Sequence, residues 1–290
     1  MPELPEVETV RRGLQGLIVN RTVKKVHHDT PKGFPNTDAD VNNFLLGATI
    51  TGVRRRAKVL LIDLSTEYTL VIHLKMTGQL VFRAAGVAFG AGHPNDSLIG
   101  ELPDRSTRVT LTFSDESRLY FNDQRKFGWV RLMPTIGVPN IDFMKKVGPE
   151  PLEADFTAEE FAQRFERRKK SPIKVALLDQ TVIAGVGNIY ADESLWGAKL
   201  HPQTLVGNIT KNQFKKLYSE VRDVMNLSIE KGGSTDRNYV NAEGRRGSYI
   251  DFARVFRREG QPCPRCGTII VKFRAAGRGT HICPKCQVLE

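Results

Sequence analysis

The chain has 290 residues, of which 40% are hydrophobic, enough for an ordinary buried core and for two domains or one large domain plus a small one. A net charge of +11 and a pI of about 9.6 suit a polyanionic partner. No apolar run approaches the roughly 18 residues a membrane span needs and no signal-peptide pattern opens the chain, so the expectation is a cytoplasmic protein with no membrane contact.

The N-terminus reads Met1-Pro2-Glu3-Leu4-Pro5-Glu6-Val7-Glu8-Thr9 and leads into a predicted helix over residues 6–17. Removal of Met1 before a small residue leaves Pro2 with a free secondary amine. An α-amino group has a pKa of roughly 7.7–8.0, far below that of lysine, so part of it is unprotonated near neutral pH. Adding to an aldehydic carbon, it gives a cationic iminium, an electron sink for elimination at the adjacent carbon. Glu3 and Glu6 then supply carboxylates for proton transfer or sugar contacts. On these residues alone, a Glu-rich start is equally a charged first turn favoured by the helix dipole.

Runs of strand composition follow at residues 23–27, 49–54, 59–64, 69–74, 79–82, 108–113, 118–121 and 128–132. Many short strands separated by turn signals predict a two-sheet antiparallel β-sandwich over 1–132, with flanking helices. Between two of them, Arg54-Arg55-Arg56-Ala57-Lys58 is a basic turn suited to backbone phosphate, or to a solvated charge cluster. His73-Leu74-Lys75-Met76-Thr77-Gly78 ends a strand at a glycine turn, and the Gly/Pro/Ala-rich stretch 84–105 is expected to be a long mobile loop. A further loop is Asn122-Asp123-Gln124-Arg125-Lys126-Phe127-Gly128.

Residues 133–152 carry four prolines and little periodicity, the composition of a linker. Helical character begins with Thr157-Ala158-Glu159-Glu160, a capping box, and helices are expected over 173–178, 190–196 and 211–231 within a domain spanning 153–232. Lys174 and Asp179-Gln180 precede Ile183-Ala184-Gly185-Val186-Gly187-Asn188-Ile189-Tyr190-Ala191-Asp192-Glu193. No strand ahead of it supports a dinucleotide-binding loop. Backbone N–H groups at a glycine turn before a helix do make an anion site, and a nucleic-acid phosphate would fit.

The last segment, 233–290, opens on a Gly- and Asn-containing loop without period and closes on the chain's four cysteines, spaced C-x2-C-x16-C-x2-C. Two knuckles at this spacing present four thiolates to one tetrahedral zinc, so Cys263, Cys266, Cys283 and Cys286 are the expected ligands of one structural Zn2+. Two disulfides would suit a secreted protein, and a redox C-x-x-C would accompany a βαβ pattern; neither context is present. Between the knuckles, apolar runs flanking Gly277 predict a β-hairpin with Arg278 projecting from its tip. From Lys231 onward, 12 Lys or Arg face 5 Asp or Glu, so the positive charge concentrates here.

Pro2-Glu3-Leu4-Pro5-Glu6-Val7-Glu8-Thr9, the Lys58 turn, the Met76 and Arg125–Phe127 loops, the Gly185–Glu193 segment and the cysteine hairpin together resemble the bacterial formamidopyrimidine-DNA glycosylases, nearly end to end. The resemblance implies an α+β protein whose C-terminal half holds a helix–two-turns–helix domain and a β-hairpin zinc finger. It implies a bifunctional DNA glycosylase/abasic lyase that removes oxidised purines from damaged double-stranded DNA, working as a monomer. By the same resemblance Pro2 attacks C1′ of the damaged nucleotide, Glu3 is its general acid/base, and Glu6 assists sugar opening or binding. Lys58 lies by the damaged nucleotide. Met76, Arg125 and Phe127 fill the gap left by the extruded base, Arg125 facing the orphaned cytosine. Lys174, Asn188 and Arg278 contact phosphate, and residues 232–248 close over the flipped base. The pyrimidine-directed endonuclease VIII branch and a non-catalytic zinc DNA-binding protein are the rival readings; Leu4 and the full Met/Arg/Phe set favour the purine branch.

Overall fold

The computed structural model describes residues 2–93, 95–234, 249–275 and 277–289, so the 235–248 part of the expected lesion-covering loop lies outside the described residues. The chain divides into two compact units, Met1–Lys145 with Lys231–Ser248, and Lys146–Glu230 with Tyr249–Glu290.

The first unit opens with helix α1 (Leu4–Ile18) and strand β1 (Val23–His28); the single turn α2 (Asp38–Asp40) then runs into a π-helical turn at Val41–Leu45. Strands β2 (Ile50–Arg56), β3 (Val59–Leu64) and β4 (Tyr68–His73) follow, then β5 (Gly78–Ala84), β6 (Val87–Gly92), β7 (Thr107–Phe113), β8 (Arg118–Asp123) and β9 (Trp129–Pro134). They form a five-stranded sheet in the order β1-β7-β8-β5-β6 and a four-stranded sheet β2-β3-β4-β9, antiparallel throughout. Alternation decides the packing. Leu60, Ile62, Leu70, Ile72 and Val130 of one sheet share a core with Leu80, Phe82, Val109, Leu111, Leu119 and Phe121 of the other, which makes the expected sandwich. Helix α1 adds Val7, Val10, Leu14 and Ile18, one stripe at helical spacing.

Two stretches are more ordered than their composition suggests. The expected mobile loop 84–105 contains β6, paired with β5 from Gln79↔Gly92 to Ala84↔Val87, and a 3-10 turn at Asp96–Leu98. Gly90 favours this: a Cβ there would stand 3.0 Å from the Leu98 carbonyl oxygen, so a larger residue would have to push the turn away from the strand. Leu98 then packs on Val81 and Tyr120, covering the outer face of the five-stranded sheet. Of the expected linker, a 3-10 helix at Thr135–Asn140 and α3 (Asp142–Lys146) place Val138, Ile141, Phe143 and Met144 over Val59, Leu61 and Val71 on the four-stranded sheet.

The second unit holds α4 (Ala158–Phe165), α5 (Ile173–Leu178), α6 (Asn188–Gly197) and α7 (Lys211–Glu230), then the hairpin β10 (Val271–Ala275) and β11 (Arg278–Ile282). The predicted capping box is present at α4, with Glu160 N donating to Thr157 Oγ1 at 3.1 Å and Thr157 N to Glu160 Oε2 at 2.8 Å. The class is α+β, as expected. Among the described residues, no helix is long and apolar enough to cross a membrane.

Candidate active site and nucleic-acid interface

In the first unit, Pro2 and Glu3 are buried at the start of α1, with Glu3 as N-cap in extended backbone geometry. The Glu6 carboxylate joins two backbone segments: Oε2 accepts from Glu3 N at 2.8 Å and Oε1 from Ser234 N at 2.8 Å. Glu6 therefore ties the N-terminal turn to the segment that leads into residues 235–248. Two residues on, Glu8 accepts from Arg11, Arg12 and Arg55. Burial alone would raise the Glu8 carboxyl; hydrogen bonds from Arg11 and Arg12 and the charges of Arg11 and Arg55 outweigh it and hold the group below the usual range.

That Glu8–Arg55 pair attaches α1 to the hairpin carrying Lys58. Arg56 and Val59 are register partners, so Ala57 and Lys58 form a two-residue turn, with Ala57 at φ 52° and Lys58 buried. The basic run is thus partly structural. Arg54 is engaged with Asp63, and Arg55 with Glu8 and the Ala57 carbonyl. Val59 is paired with His73 across β3 and β4, which puts the Lys58 turn at the end of the sheet where β4 leaves it. Burial, reinforced by the charges of Lys75 and Lys58, pushes His73 down to about 3, so its imidazole is neutral and Nδ1 accepts from Lys75 N at 3.1 Å.

At this end the chain changes sheets twice. The β4–β5 connection carries Met76, the β8–β9 connection carries Arg125 and Phe127, and all three side chains are exposed. Gly78 pairs with Asp123, so the two loops rise side by side. Asp123, fully buried, accepts from Thr77 Oγ1 and from three backbone N–H groups: Arg125 at 3.2 Å, Phe127 at 2.8 Å and Gly128 at 2.7 Å. Arg125 N also donates to Thr77 Oγ1 at 3.0 Å, and the Arg125 guanidinium lies 4.8 Å from the Phe127 ring centre. Asp123 was missed at the level of sequence. Its signal was an Asx residue opening a glycine-closed turn.

In the second unit, Lys174, expected to contact phosphate, lies inside the fold. Lys174 is fully buried on α5, and its ammonium donates to Asp192 Oδ1 at 2.5 Å and Thr280 Oγ1 at 2.7 Å. Asp192, equally buried, uses Oδ2 to accept from His281 N at 3.0 Å. The pair therefore joins α5 and α6 to β11. Asn188, at the first turn of α6, donates through Nδ2 to the Gly279 carbonyl at 3.0 Å, while its buried Oδ1 has no partner among the described residues. Arg278 is exposed at the start of β11 and paired with Ala275 at the end of β10, at the expected hairpin tip. Glu193 was also missed. Its carboxylate accepts from the backbone of Arg254, Val255 and Phe256 at 2.8–2.9 Å and holds residues 254–256 to α6. Burial raises the Glu193 carboxyl despite those bonds.

The four cysteine sulfurs lie within 4.8 Å of one another, with Cys266–Cys283 at 3.4 Å and Cys266–Cys286 at 3.5 Å. A zinc with four Zn–S bonds of roughly 2.3 Å needs sulfurs about 3.8 Å apart, so the donor set fits that ion. Trp196 Nε1 donates to Cys263 Sγ at 3.4 Å, the outer hydrogen bond that orients a thiolate ligand. With four protein ligands no coordination position is left for water, so the zinc is structural.

Three family models match. Residues 1–130 fit the formamidopyrimidine-DNA glycosylase N-terminal domain, 147–239 the H2TH domain of the same enzymes, and 260–288 a zinc finger found in these enzymes and in IleRS. The formamidopyrimidine-DNA glycosylase of Pelotomaculum thermopropionicum is 41% identical, with 100% of each chain covered. That of Streptococcus pyogenes is 42% identical, covering 99% of this chain and 98% of the relative. A Lactococcus lactis relative in complex with Fapy-dG-containing DNA superposes with a TM-score of 0.86 at 34% identity, covering 99% of this chain and 100% of the other.

Proposed function

The chain belongs to the formamidopyrimidine-DNA glycosylase family, and we propose that it is a bifunctional glycosylase/abasic lyase that removes oxidised purines, 8-oxoguanine and formamidopyrimidines, from damaged double-stranded DNA. The observation that carries this reading is the placement of Pro2 and Glu3 as a buried pair at the N-terminus of a 15-residue helix. A helix N-terminus opposes positive charge on the neighbouring amine and so favours the free base that attacks. Solved relatives hold DNA with Fapy-dG, an abasic site, and carbocyclic 8-oxo-G, which supports the substrate class.

After removal of Met1, the Pro2 nitrogen forms a bond to C1′ as the C1′–N9 bond breaks; the base departs with the electron pair and takes up the proton that the nitrogen gives up. Glu3 delivers a proton to O4′; the sugar opens and the C1′–nitrogen bond becomes an iminium. A base then removes a C2′ proton, its electrons expel the 3′ phosphate, and a second elimination expels the 5′ phosphate. Water releases the remaining aldehyde from Pro2. Lys58 contributes charge beside the damaged nucleotide, Met76, Arg125 and Phe127 occupy the vacated stack, and Arg278 and Asn188 hold backbone phosphate. The zinc holds the hairpin that presents Arg278.

Borohydride reduces an iminium to a stable amine. The expected result is a covalent complex with 8-oxoguanine DNA whose attachment maps to Pro2, and weaker trapping in Pro2→Gly. A retained Met1, or a Pro2→Gly variant that traps equally well, overturns the mechanism. Since one Lactococcus lactis relative was solved with oxidised-pyrimidine DNA, excision of 8-oxoguanine should be timed against thymine glycol; faster thymine glycol release would reassign the substrate.

A further inference from the structure

Met76 and Phe127 are 38% and 47% exposed, large apolar tips with Arg125 between two solvent-facing loops. Tips of this kind take their geometry from whatever lies beneath them. Here that is one carboxylate. Asp123 is the last residue of β8, and its own backbone is fixed from both sides: Asp123 N donates to the Ser106 carbonyl at 2.8 Å, and Arg108 Nε donates to the Asp123 carbonyl at 2.8 Å. Arg108 is itself paired with Asp29. From that anchored position Oδ1 takes Thr77 Oγ1 and Arg125 N, and Oδ2 takes Phe127 N and Gly128 N. Between them Lys126 adopts a left-handed φ of 56°, a conformation that the converging N–H groups hold. Gly128 closes the turn against the core; a Cβ there would stand 2.6 Å from the Phe121 ring and 2.9 Å from the His73 carbonyl.

Taking a carboxylate out of water costs several kcal/mol unless donors replace the hydration shell. Three aligned backbone N–H groups and a hydroxyl are such a replacement, and bonds to an ionised acceptor are about twice as strong as neutral ones. An apolar residue at 123 would fill the space more cheaply but would leave both loops unfixed. We infer that Asp123 is the positioning residue that locks the Met76 and Arg125–Phe127 loops into one wedge, and that it thereby sets discrimination for the base opposite the lesion. The inference rests on the glycosylase reading above, and extends it from which residues insert to what makes their insertion selective.

Asp123→Asn keeps the shape and replaces one acceptor oxygen by an N–H2 group facing donors. Misplacing Arg125 by about 1 Å is worth roughly a hundredfold in rate. Single-turnover excision of 8-oxoguanine opposite cytosine should therefore fall by about 10- to 100-fold, with the preference for cytosine over adenine collapsing. Cleavage of a single-stranded abasic oligonucleotide, which has no opposite base to read, should change little. Thr77→Val keeps the carboxylate but cuts the link between loops, and should lose part of the preference. A folded Asp123→Asn that keeps the preference overturns the inference, as does an equal loss on the single strand. If Asp123→Asn does not fold, a folded Thr77→Val with the full preference overturns it instead. Fluorescence of 2-aminopurine opposite a tetrahydrofuran abasic analogue reports wedge insertion without any chemistry. A wild type that unstacks the probe but cleaves nothing would sink the functional reading, while loss of that signal in Asp123→Asn would still support the wedge.

Discussion

Replacing Lys174 by methionine separates a phosphate contact from an internal brace. Both partners of the Lys174–Asp192 pair have zero exposure, and the ammonium also reaches Thr280 Oγ1. Methionine fills similar space but leaves the Asp192 carboxylate buried with only its bonds to His281. Removing one partner of a buried pair costs about 3–5 kcal/mol. With an m-value of about 2 kcal/mol per M, the urea midpoint of the second unit should drop by about 2 M. Asp192→Asn should cost a comparable amount, and the double variant should lose less than the two singles together by about 1 kcal/mol or more. DNA affinity measured against salt then distinguishes the roles. A lysine bound to phosphate contributes about 0.9 to the slope of log K on log salt. A buried brace contributes nothing to it while Arg278 stays in place. A Lys174→Met variant as stable as the wild type, with its slope reduced by about 0.9, would refute the argument and return Lys174 to the DNA.

Two further outcomes are expected. His73 is held neutral, at about 3 against about 6.5 in the unfolded chain, so the folded state binds fewer protons between those values. Its contribution is complete above pH 6.5 and is lost at about 1.4 kcal/mol per unit as pH falls from there towards 3; urea midpoints of His73→Asn between pH 6.5 and 5 should fall less steeply than the wild type's, and parallel slopes would count against it. Arg278→Ala removes one charged fork from the hairpin tip and should weaken DNA binding by about 10- to 100-fold, the worth of a charge-assisted phosphate contact. Its zinc content by metal analysis should be unchanged, whereas a chelator should abolish both binding and the hairpin.

What could be read in the residues was what depends on near neighbours. The zinc site is legible because each knuckle is three residues apart and the ion accepts only a few donor sets. The strands of the sandwich are legible because β7 alternates, while β3 and β4 are short apolar runs bounded by turn residues and buried on both faces. Strand β6 was not, since Ala88, Gly90, Ala91 and Gly92 have little strand preference and the pairing comes from β5. The internal partners of Lys174 were hidden for a different reason. A lysine next to an anion-binding turn is exposed unless something distant neutralises it, and its partners lie 18 and 106 residues further along the chain. Nothing within a local window announces them. Glu6 was read by its chemistry, and the bond from Ser234, 228 residues away, adds a positioning task that no local pattern carries.

Lys174 and Asp123 answer the same physical problem in two different units. A residue that must meet DNA is exposed before the DNA arrives, so its own side chain has almost no contacts to fix it. Under the proposed function, Arg278 on its hairpin tip, and Met76, Arg125 and Phe127 on their loops, all exposed, are in that position. Each is preceded or followed within a few residues by a group whose geometry is set from below: Thr280 and Gly279 by the Lys174–Asp192 pair and Asn188, Thr77 and Gly128 by Asp123. Well-packed apolar residues could match the stability of such buried charges, since desolvation cancels most of their attraction. They could not match the directionality, because apolar contacts accept many orientations and a carboxylate filled by aligned donors accepts few. Stability and placement should therefore separate experimentally. Joint apolar replacement of Lys174 and Asp192 should recover much of the stability lost by Lys174→Met, although His281 N would lose its acceptor, at about 1–3 kcal/mol. The tip carrying Arg278 would remain less well placed, and the affinity for DNA should stay below the wild type's even where the urea midpoint returns.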